Sequence, residues 1–591
     1  MQQELDSLND AQKEAVLHTE GPALILAGAG SGKTRVLITK VRYLIEAKNV
    51  SPENIMMVTF TNKAAGEMKE RMGRPLGYIG TFHAFCAMQM RRHAPRIGFP
   101  NDFTIYDQDD QKQLIQRCLK KMATNKTLTP SGVLARISSI KDNMMTPEQY
   151  LPFAQGNYDQ LIAALYVDYQ KALKEANAMD FDDLLLNMVL LLKNDNDVLA
   201  QLQEQYHYFL IDEFQDTNAA QYMLAILLSQ KSRNISVVGD FSQSIYSWRG
   251  ADLRNLHKFQ ENFPDAKTYY LEVNYRSTES ILSYANKLIS HNTSHPVLSL
   301  TTTNDTGEEV AVLELTNEEE EALYVAETIE QLCAPANYDK AAILYRMNAQ
   351  SRVIEEALLH LGIPYVLVGG TRFYERKEVK DVLAYLNVWI NPKDEVSYKR
   401  IEKLGKGRLK RFLAVRDEYQ EKEHPQSDEL IGLVIERTGY LDLYNDTNSE
   451  DIARLENIRE LRSVAQHFPA ITEFLHQVAL VESEYSENEK NQKNKRGVSL
   501  MTLHQAKGLE FDYICIVGLE DGILPHSRAL YSTEELEEER RLFYVGVTRA
   551  RKRLYITHAK RRFLFGRSGY TIKSRFLNDN EDEYNWMHKS F

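Results

Sequence analysis

The sequence predicts an α/β fold of two parallel-sheet domains, each interrupted by a mostly helical insertion. Three observations predict it. Short apolar runs of strand length recur between stretches of helical period, the pattern of parallel strands covered by helices on both faces. A glycine-rich turn, AGAGSGKT (Ala27–Thr34), closes the first of these runs and leads into a helical stretch. Two long segments, 106–192 and 387–496, keep the helical period and lack a convincing strand.

Ala23–Ala27 (ALILA) is the first strand, and TRVLITKVRYLIEA after it has helical spacing. Ile55–Phe60 (IMMVTF), Tyr208–Ile211 (YFLI), Ile235–Val238 (ISVV) and Tyr269–Val273 (YYLEV) are further buried strands. Residues 1–105 and 193–275 therefore form the first sheet domain, with 106–192 inserted in it. After a stretch rich in Ser, Thr and Asn (Ser290–Gly307), strands resume at Ala341–Tyr345, Tyr365–Val368, Val498–Leu503, Tyr513–Val517 and Leu554–Thr557. They give a second domain over 276–386 and 497–591, with 387–496 inserted and the polar run Glu487–Gly497 as the flexible return. No internal repeat is visible.

Composition narrows the function. Hydrophobic residues make up 43% and charged residues 26%, which excludes disordered and fibrous classes. No run of about 18 apolar residues exists, so no membrane span is expected. The polar, acidic N-terminus lacks a signal-peptide pattern, and the four cysteines are too scattered for a metal knuckle or a disulfide framework. A reducing cytoplasm follows. The net charge of −12 argues on average against a nucleic-acid partner. Its distribution matters more: basic residues cluster in Lys399–Arg411 and Arg549–Arg567, acidic ones in Glu318–Glu321 and Glu534–Glu539. Local basic strips can track a phosphate backbone, and solvated helix faces are the other reading.

Two motifs carry chemistry. In AGAGSGKT, with Ala27 where the strict pattern has Gly, the loop Gly28, Ala29, Gly30, Ser31 and Gly32 lets backbone N–H groups close around phosphates. Lys33 then reaches the β/γ oxygens of ATP, and the Thr34 hydroxyl is a ligand for Mg²⁺. FLIDEFQD (Phe209–Asp216) puts two carboxylates at the end of an apolar strand. Asp212 is expected to hold the metal through water and Glu213 to polarise the attacking water.

Further strings occur in a fixed order. LNDAQ (Leu8–Gln12), TFTNKAA (Thr59–Ala65) and GTFHAF (Gly80–Phe85) precede those carboxylates. VVGDFSQSIYSWRGA (Val237–Ala251), LEVNYRST (Leu271–Thr278), TLHQAKGLEF (Thr502–Phe511) and YVGVTRAR (Tyr544–Arg551) follow them. Together they make the chain resemble, from Leu8 to Leu577, the superfamily 1 DNA helicases of the UvrD/PcrA/Rep group.

The resemblance implies two RecA-like P-loop NTPase cores and an ATP-dependent motor. It would translocate 3′ to 5′ on single-stranded DNA and unwind duplex junctions in DNA repair or replication. It also implies site roles. Gln12 reads the adenine edge and Tyr275 stacks on its face, Arg35 joins the nucleotide site, Gln243 senses the γ-phosphate, Arg276 and Arg549 reach that phosphate, and Glu510 holds the ribose. Phe60, Asn62, His83, Tyr246, Trp248, Arg249, His504 and Phe565 fall on DNA-facing positions. Trp248 is the strongest of these, while His83 and His504 are equally readable as structural histidines. A cytoplasmic, nucleoid-associated monomer is the default.

Three departures stand out. Ser242 replaces the second acid of the family's GDxDQS string. KLGKGRLKRF (Lys403–Phe412) stands where the family has a duplex-gripping hairpin, and is either a reduced phosphate-gripping turn or a basic helix. The chain stops fourteen residues after SRFL (Ser574–Leu577), so no C-terminal docking module is expected. The shortened insertion leaves a second reading open, a translocase that strips proteins from single strands and unwinds poorly alone. A third, a non-catalytic DNA-binding regulator, is opposed by the intact P-loop and carboxylates. A helicase–nuclease would need a further domain for which too little chain remains.

Overall fold

A computed structural model of the chain describes residues 1–122, 128–333, 337–419, 425–445, 449–491, 497–564 and 567–578. They form two compact units: Met1–Arg276 with Thr293–Thr303, and Ser277–Asn292 with the chain from Asn304 onward.

The strands of the first unit are β1 (Ala23–Ala27), β2 (Ile55–Thr59), β3 (Tyr78–Thr81), β4 (Thr104–Ile105), β5 (Ala178–Met179), β6 (Tyr208–Ile211), β7 (Ile235–Gly239), β8 (Lys267–Leu271), β9 (Val273–Asn274) and β10 (Thr301–Thr302). Six of them make one parallel sheet in the order β3-β2-β6-β7-β1-β8. Side chains alternate between two cores, as the period of two demands. Leu24, Leu26, Met56, Val58, Phe209, Ile211, Ile235 and Val237 enter one core, shared with Phe85, Met188 and Leu224. Ile25, Ala27, Ile55, Met57, Leu210 and Val238 enter the other, against Val36, Leu37 and Val41 of the helix after β1. Burying each Val, Leu, Ile, Phe or Met side chain among these stabilises the unit by about 1.5–3 kcal/mol. β1, β2 and β7 are buried throughout and β6 nearly so, and these read as continuous apolar runs; the strand expected to be buried at Tyr269–Val273 is instead the sheet edge β8, where Tyr270 is 52% exposed.

Because all six strands are parallel, their carboxyl ends share one edge. The chain leaves β1 for β2, three places away, and later fills the gap with β6 and β7 before adding β8 on the far side. Such a reversal of strand order opens a crevice at the carboxyl ends.

The inserted helices Gln108–Lys121, Pro130–Asp142 and Gly156–Glu175 share a core of their own. The next helix, Phe181–Asn194, instead places Leu184, Leu185 and Met188 in the sheet core, so the expected boundary at 192/193 falls within it. β5 also lies in the segment expected to lack strands, paired in parallel with β4, which just precedes that segment. Two paired residues leave no periodicity to detect.

The second unit has β11 (Ala311–Leu315), β12 (Ala341–Tyr345), β13 (Tyr365–Leu367), β14 (Val498–Thr502), β15 (Phe511–Ile516) and β16 (Ala550–Ala559) in one parallel sheet, ordered β11-β16-β15-β12-β14-β13. A hairpin of β17 (Arg561–Leu564) and β18 (Arg567–Tyr570) follows. The helices of 377–491 form a separate core around Val382, Leu386, Phe412, Val434 and Leu461. Helix Lys377–Ile390 runs through the expected 386/387 boundary, because its buried face already belongs to that core. Helix Ile471–Asn491 likewise occupies the start of the polar run expected to be a flexible return, and 492–496 lie outside the described residues.

Candidate functional site

The crevice of the first unit collects four loops. Gly28 donates its N–H to Leu271 O at 3.0 Å, continuing the β1–β8 ladder into the loop. Gly30 and Gly32 then take positive φ, +64° and +83°, and Gly32 caps the helix Lys33–Glu46. Gly30 also has no room for a side chain: a Cβ there would lie 2.6 Å from Asn274 Nδ2 and 3.0 Å from Arg276 Cβ. Only glycine meets both demands. The loop is braced from outside. Asn274 Nδ2 donates to Ala29 O and Gln12 Nε2 donates to Ser31 O, both at 2.8 Å. Inside the loop, Ser31 Oγ donates to Gly28 O at 2.8 Å.

Gln12 sits in the first turn of a helix capped by Asn9, whose Nδ2 in turn donates to the Tyr275 hydroxyl at 2.8 Å. Tyr275 is 45% exposed beside the loop. Arg35 donates to Ser7 Oγ at 2.7 Å, on the solvent side of the same helix start. Lys33 and Thr34 open that helix. This arrangement gathers the residues from Ala27 to Arg35 with Gln12, Tyr275 and Arg276 around one loop.

The acidic partners stand on the neighbouring strand ends. Asp212 and Glu213 follow β6, and Asp240 follows β7. Lys33 Nζ lies 4.0 Å from Asp240 Oδ2, which also accepts from Gln243 Nε2 at 2.6 Å. Gln215 ties the two strand ends together: its Oε1 accepts from Asp240 N at 3.0 Å, and its amide donates to Glu213. Glu213 adopts φ +52°, rare for a residue with a Cβ, and such backbone costs of order 1–3 kcal/mol unless its surroundings enforce it. Asp212 is 5% exposed, and its Oδ1 has no hydrogen-bond partner among the described residues. Burial, and then the neighbouring Glu213 carboxylate, push its pKa up to about 7, with Lys33 opposing. A buried carboxylate oxygen left unpaired beside the loop fits a hard cation such as Mg²⁺, which takes one or two protein oxygens alongside phosphate and water. No group of three or more His, Cys, Asp or Glu able to hold a metal occurs among the described residues.

An aromatic ladder begins where the β7 turn ends. Phe60, just after β2, stacks on Tyr246 with centroids 5.4 Å apart. Tyr246 meets Trp248 edge-on at 6.4 Å, and the Arg249 guanidinium lies 4.5 Å above the Trp248 ring. Trp248 is 50% exposed. Asn62 is exposed at the start of the helix that follows Phe60. His83 packs edge-on to Phe181 at 6.1 Å, and burial lowers its pKa.

Three expected residues belong to the second unit. Arg549 is 2% exposed and donates Nε to Val545 O at 3.0 Å and Nη1 to Leu509 O at 3.4 Å. Glu510 pairs with Arg551. His504 lies half-buried in the turn after β14. The expected Phe565 lies outside the described residues. The basic segment of this unit resolves as a helix, Lys406–Glu418, led by Gly405 at φ +126°. Arg408 donates to Gly439 O and Leu404 O, and Arg411 to Thr438 O, so these guanidiniums serve the helical packing.

Asp240, Gln215 and Asn274 were not among the sequence candidates. Each lies inside a string already quoted, yet only its tertiary contact reveals it.

Comparison with known proteins adds an independent finding. Residues 8–264 match the UvrD/REP helicase N-terminal domain, and residues 269–437 and 408–561 match the UvrD-like helicase C-terminal domain. The ATP-dependent DNA helicase PcrA of Bacillus subtilis (strain 168) is 41% identical over 98% of this chain and 86% of its own length. The PcrA helicases of Staphylococcus epidermidis (strain ATCC 12228 / FDA PCI 1200) and Staphylococcus aureus (strain NCTC 8325 / PS 47) are 40% and 39% identical, each over 97% of this chain and 86% of their own length.

Proposed function

Since this chain belongs to the UvrD/REP helicase family, we propose that it is an ATP-dependent DNA helicase that moves 3′ to 5′ along single-stranded DNA and unwinds the duplex ahead. The observation that carries this is one continuous turn. From Asp240 to Arg249 it meets Lys33 at its start, carries Gln243 bonded to Asp240, and holds Tyr246 and Trp248 in the ladder at its end. A γ-phosphate felt at one end of so short a segment is felt by a base at the other. That is what a motor needs, because ATP must bias a two-state element that grips the strand.

In this mechanism Gln12 and Tyr275 hold the adenine, while the loop amides and Lys33 hold the phosphates. Thr34, and Asp212 through water, would hold Mg²⁺, which would supply charge neutralisation at the phosphates. Glu213 takes a proton from the attacking water. Gln243 and Arg276 contact the γ-phosphate, Arg549 offsets the charge that develops there, and Glu510 holds the ribose. Trp248, Tyr246 and Phe60 stack bases regardless of sequence, with Asn62, Arg249, His83, His504 and Phe565 along the strand. Direction of travel, monomeric action and a cytoplasmic, nucleoid-associated location belong to the same proposal. No helix among the described residues is long and apolar enough to cross a membrane.

One observation favours a second reading. With Arg408 and Arg411 engaged by backbone carbonyls, the basic segment offers less grip on a duplex than a phosphate-binding turn would. A single-strand translocase that unwinds poorly alone would result. Strand displacement on matched duplexes with a 3′ or a 5′ tail, run beside ATP hydrolysis, separates the two. Displacement of the 3′-tailed duplex alone supports the helicase. Brisk DNA-stimulated hydrolysis without displacement supports the translocase.

A further inference from the structure

The segment Thr293–Thr303 returns to the first unit after the chain has entered the second, and both of its ends continue there. It lies across the nucleotide site like a strap. At one end His295 Nε2 and Ser242 Oγ form a hydrogen bond of 3.1 Å, with both residues buried. Ser242 directly precedes Gln243. At the other end Leu300 covers the P-loop: a Cβ on Gly28 would run into its side chain. Next to it, β10 pairs with β9, Thr301 against Val273 and Thr302 against Asn274. Thr302 Oγ1 adds a bond to Asn274 O at 2.8 Å, and Asn274 is the residue that braces Ala29. A single short segment therefore supports the γ-phosphate-sensing turn and the phosphate-binding loop at once.

We propose that this strap sets the position of Gln243 relative to the P-loop, with His295 and Leu300 as its two positioning residues. The proposal rests on the ATPase-motor reading above. The two ends act on different quantities. The Ser242–His295 bond orients the sensing turn, which matters once DNA-stimulated hydrolysis is under way. The Leu300 contact shapes the loop that binds ATP in the ground state. Misplacing a group that acts mainly in the transition state lowers kcat, whereas loss of uniform binding raises KM.

The test is steady-state DNA-stimulated ATP hydrolysis by the full chain. Ser242→Ala and His295→Ala should each lower kcat about tenfold with the KM for ATP within about twofold. The double variant should lose much less than the two single losses combined, because both remove the Ser242–His295 bond, although His295 also meets Ser294. His295→Gln should recover most of the activity, since its amide nitrogen reaches the same hydroxyl. Leu300→Ala should do the opposite, raising KM about tenfold with kcat nearly kept. Ser242→Ala and His295→Gln disturb packing least, and they carry the test if His295→Ala does not fold. Unchanged kcat in Ser242→Ala, additive losses in the double variant, or one common pattern in all variants would overturn the strap. A wild-type chain without DNA-stimulated hydrolysis would instead overturn the motor reading, and the strap with it.

Discussion

Phe60 and Tyr246 stack nearly parallel, their ring planes 17° apart, although 186 positions separate them in the chain and they follow different strands. The stack sets the level of the ladder. Trp248 stands at 65° to Tyr246 and turns its free surface outward, where Arg249 covers part of it. A base stacking here, as proposed, would meet aromatic faces already fixed, so little ordering would be required on binding.

Trp248→Ala should weaken binding of a short oligothymidylate by about 1–3 kcal/mol, the usual worth of one stacked base. Affinity for a fluorescent ATP analogue should stay unchanged, because Trp248 does not touch the P-loop bracing. Fluorescence anisotropy measures both. Unaltered oligonucleotide affinity would remove the ladder from the DNA interface.

Glu213→Gln keeps the size of the side chain and removes its capacity to accept a proton. ATP and DNA should still bind, and phosphate release at saturating ATP should fall about 10²–10⁴-fold. Hydrolysis at the wild-type rate would show that another group acts as the base.

Binding to single strands should also fall with salt, despite the net charge of −12. The log–log slope should be about −0.7 for each phosphate neutralised. A flat salt dependence would contradict phosphate contacts by the basic residues proposed here.

Glu355 supplies a prediction about stability. It is buried in the second unit, accepting from Ser351 Oγ at 2.8 Å and the Tyr365 hydroxyl at 3.2 Å. Burial raises its pKa from 4.5 to about 7, with Arg376 opposing. The folded state therefore holds the proton that the unfolded chain loses, so the stabilisation is complete below about pH 4.5 and is lost as pH rises through about 7. Glu355→Gln should remove this slope and raise the melting temperature more at pH 8 than at pH 5.5. An equal shift at both values would show that the carboxyl is ionised throughout.

The sequence discloses whatever is local. β1 is legible because all five of its residues are buried, and the P-loop because its glycines, lysine and threonine are consecutive. β11 escapes notice since it is an edge strand, with only Leu315 fully buried, and so lacks a continuous apolar run. β3 hides in four residues that include Gly80. Within the site, Gln12, Glu213, Gln243 and Trp248 each stand in a recognisable string, whereas their partners do not announce themselves. The Asn274–Ala29 bond spans 245 positions and the Ser242–His295 bond spans 53. Contacts made across such distances depend on the folded sheet, and no spacing rule encodes them.

The return of Thr293–Thr303 has a consequence for how the protein is made. When the ribosome has delivered residue 276, Gly28 still lacks its Leu300 cover and β9 has no partner. Both arrive only after Ser277–Asn292, a piece of the other unit, has emerged. The nascent chain therefore interleaves its two units during synthesis, and an expression fragment meant to keep the cover of Gly28 and the partner of β9 has to run through residue 303.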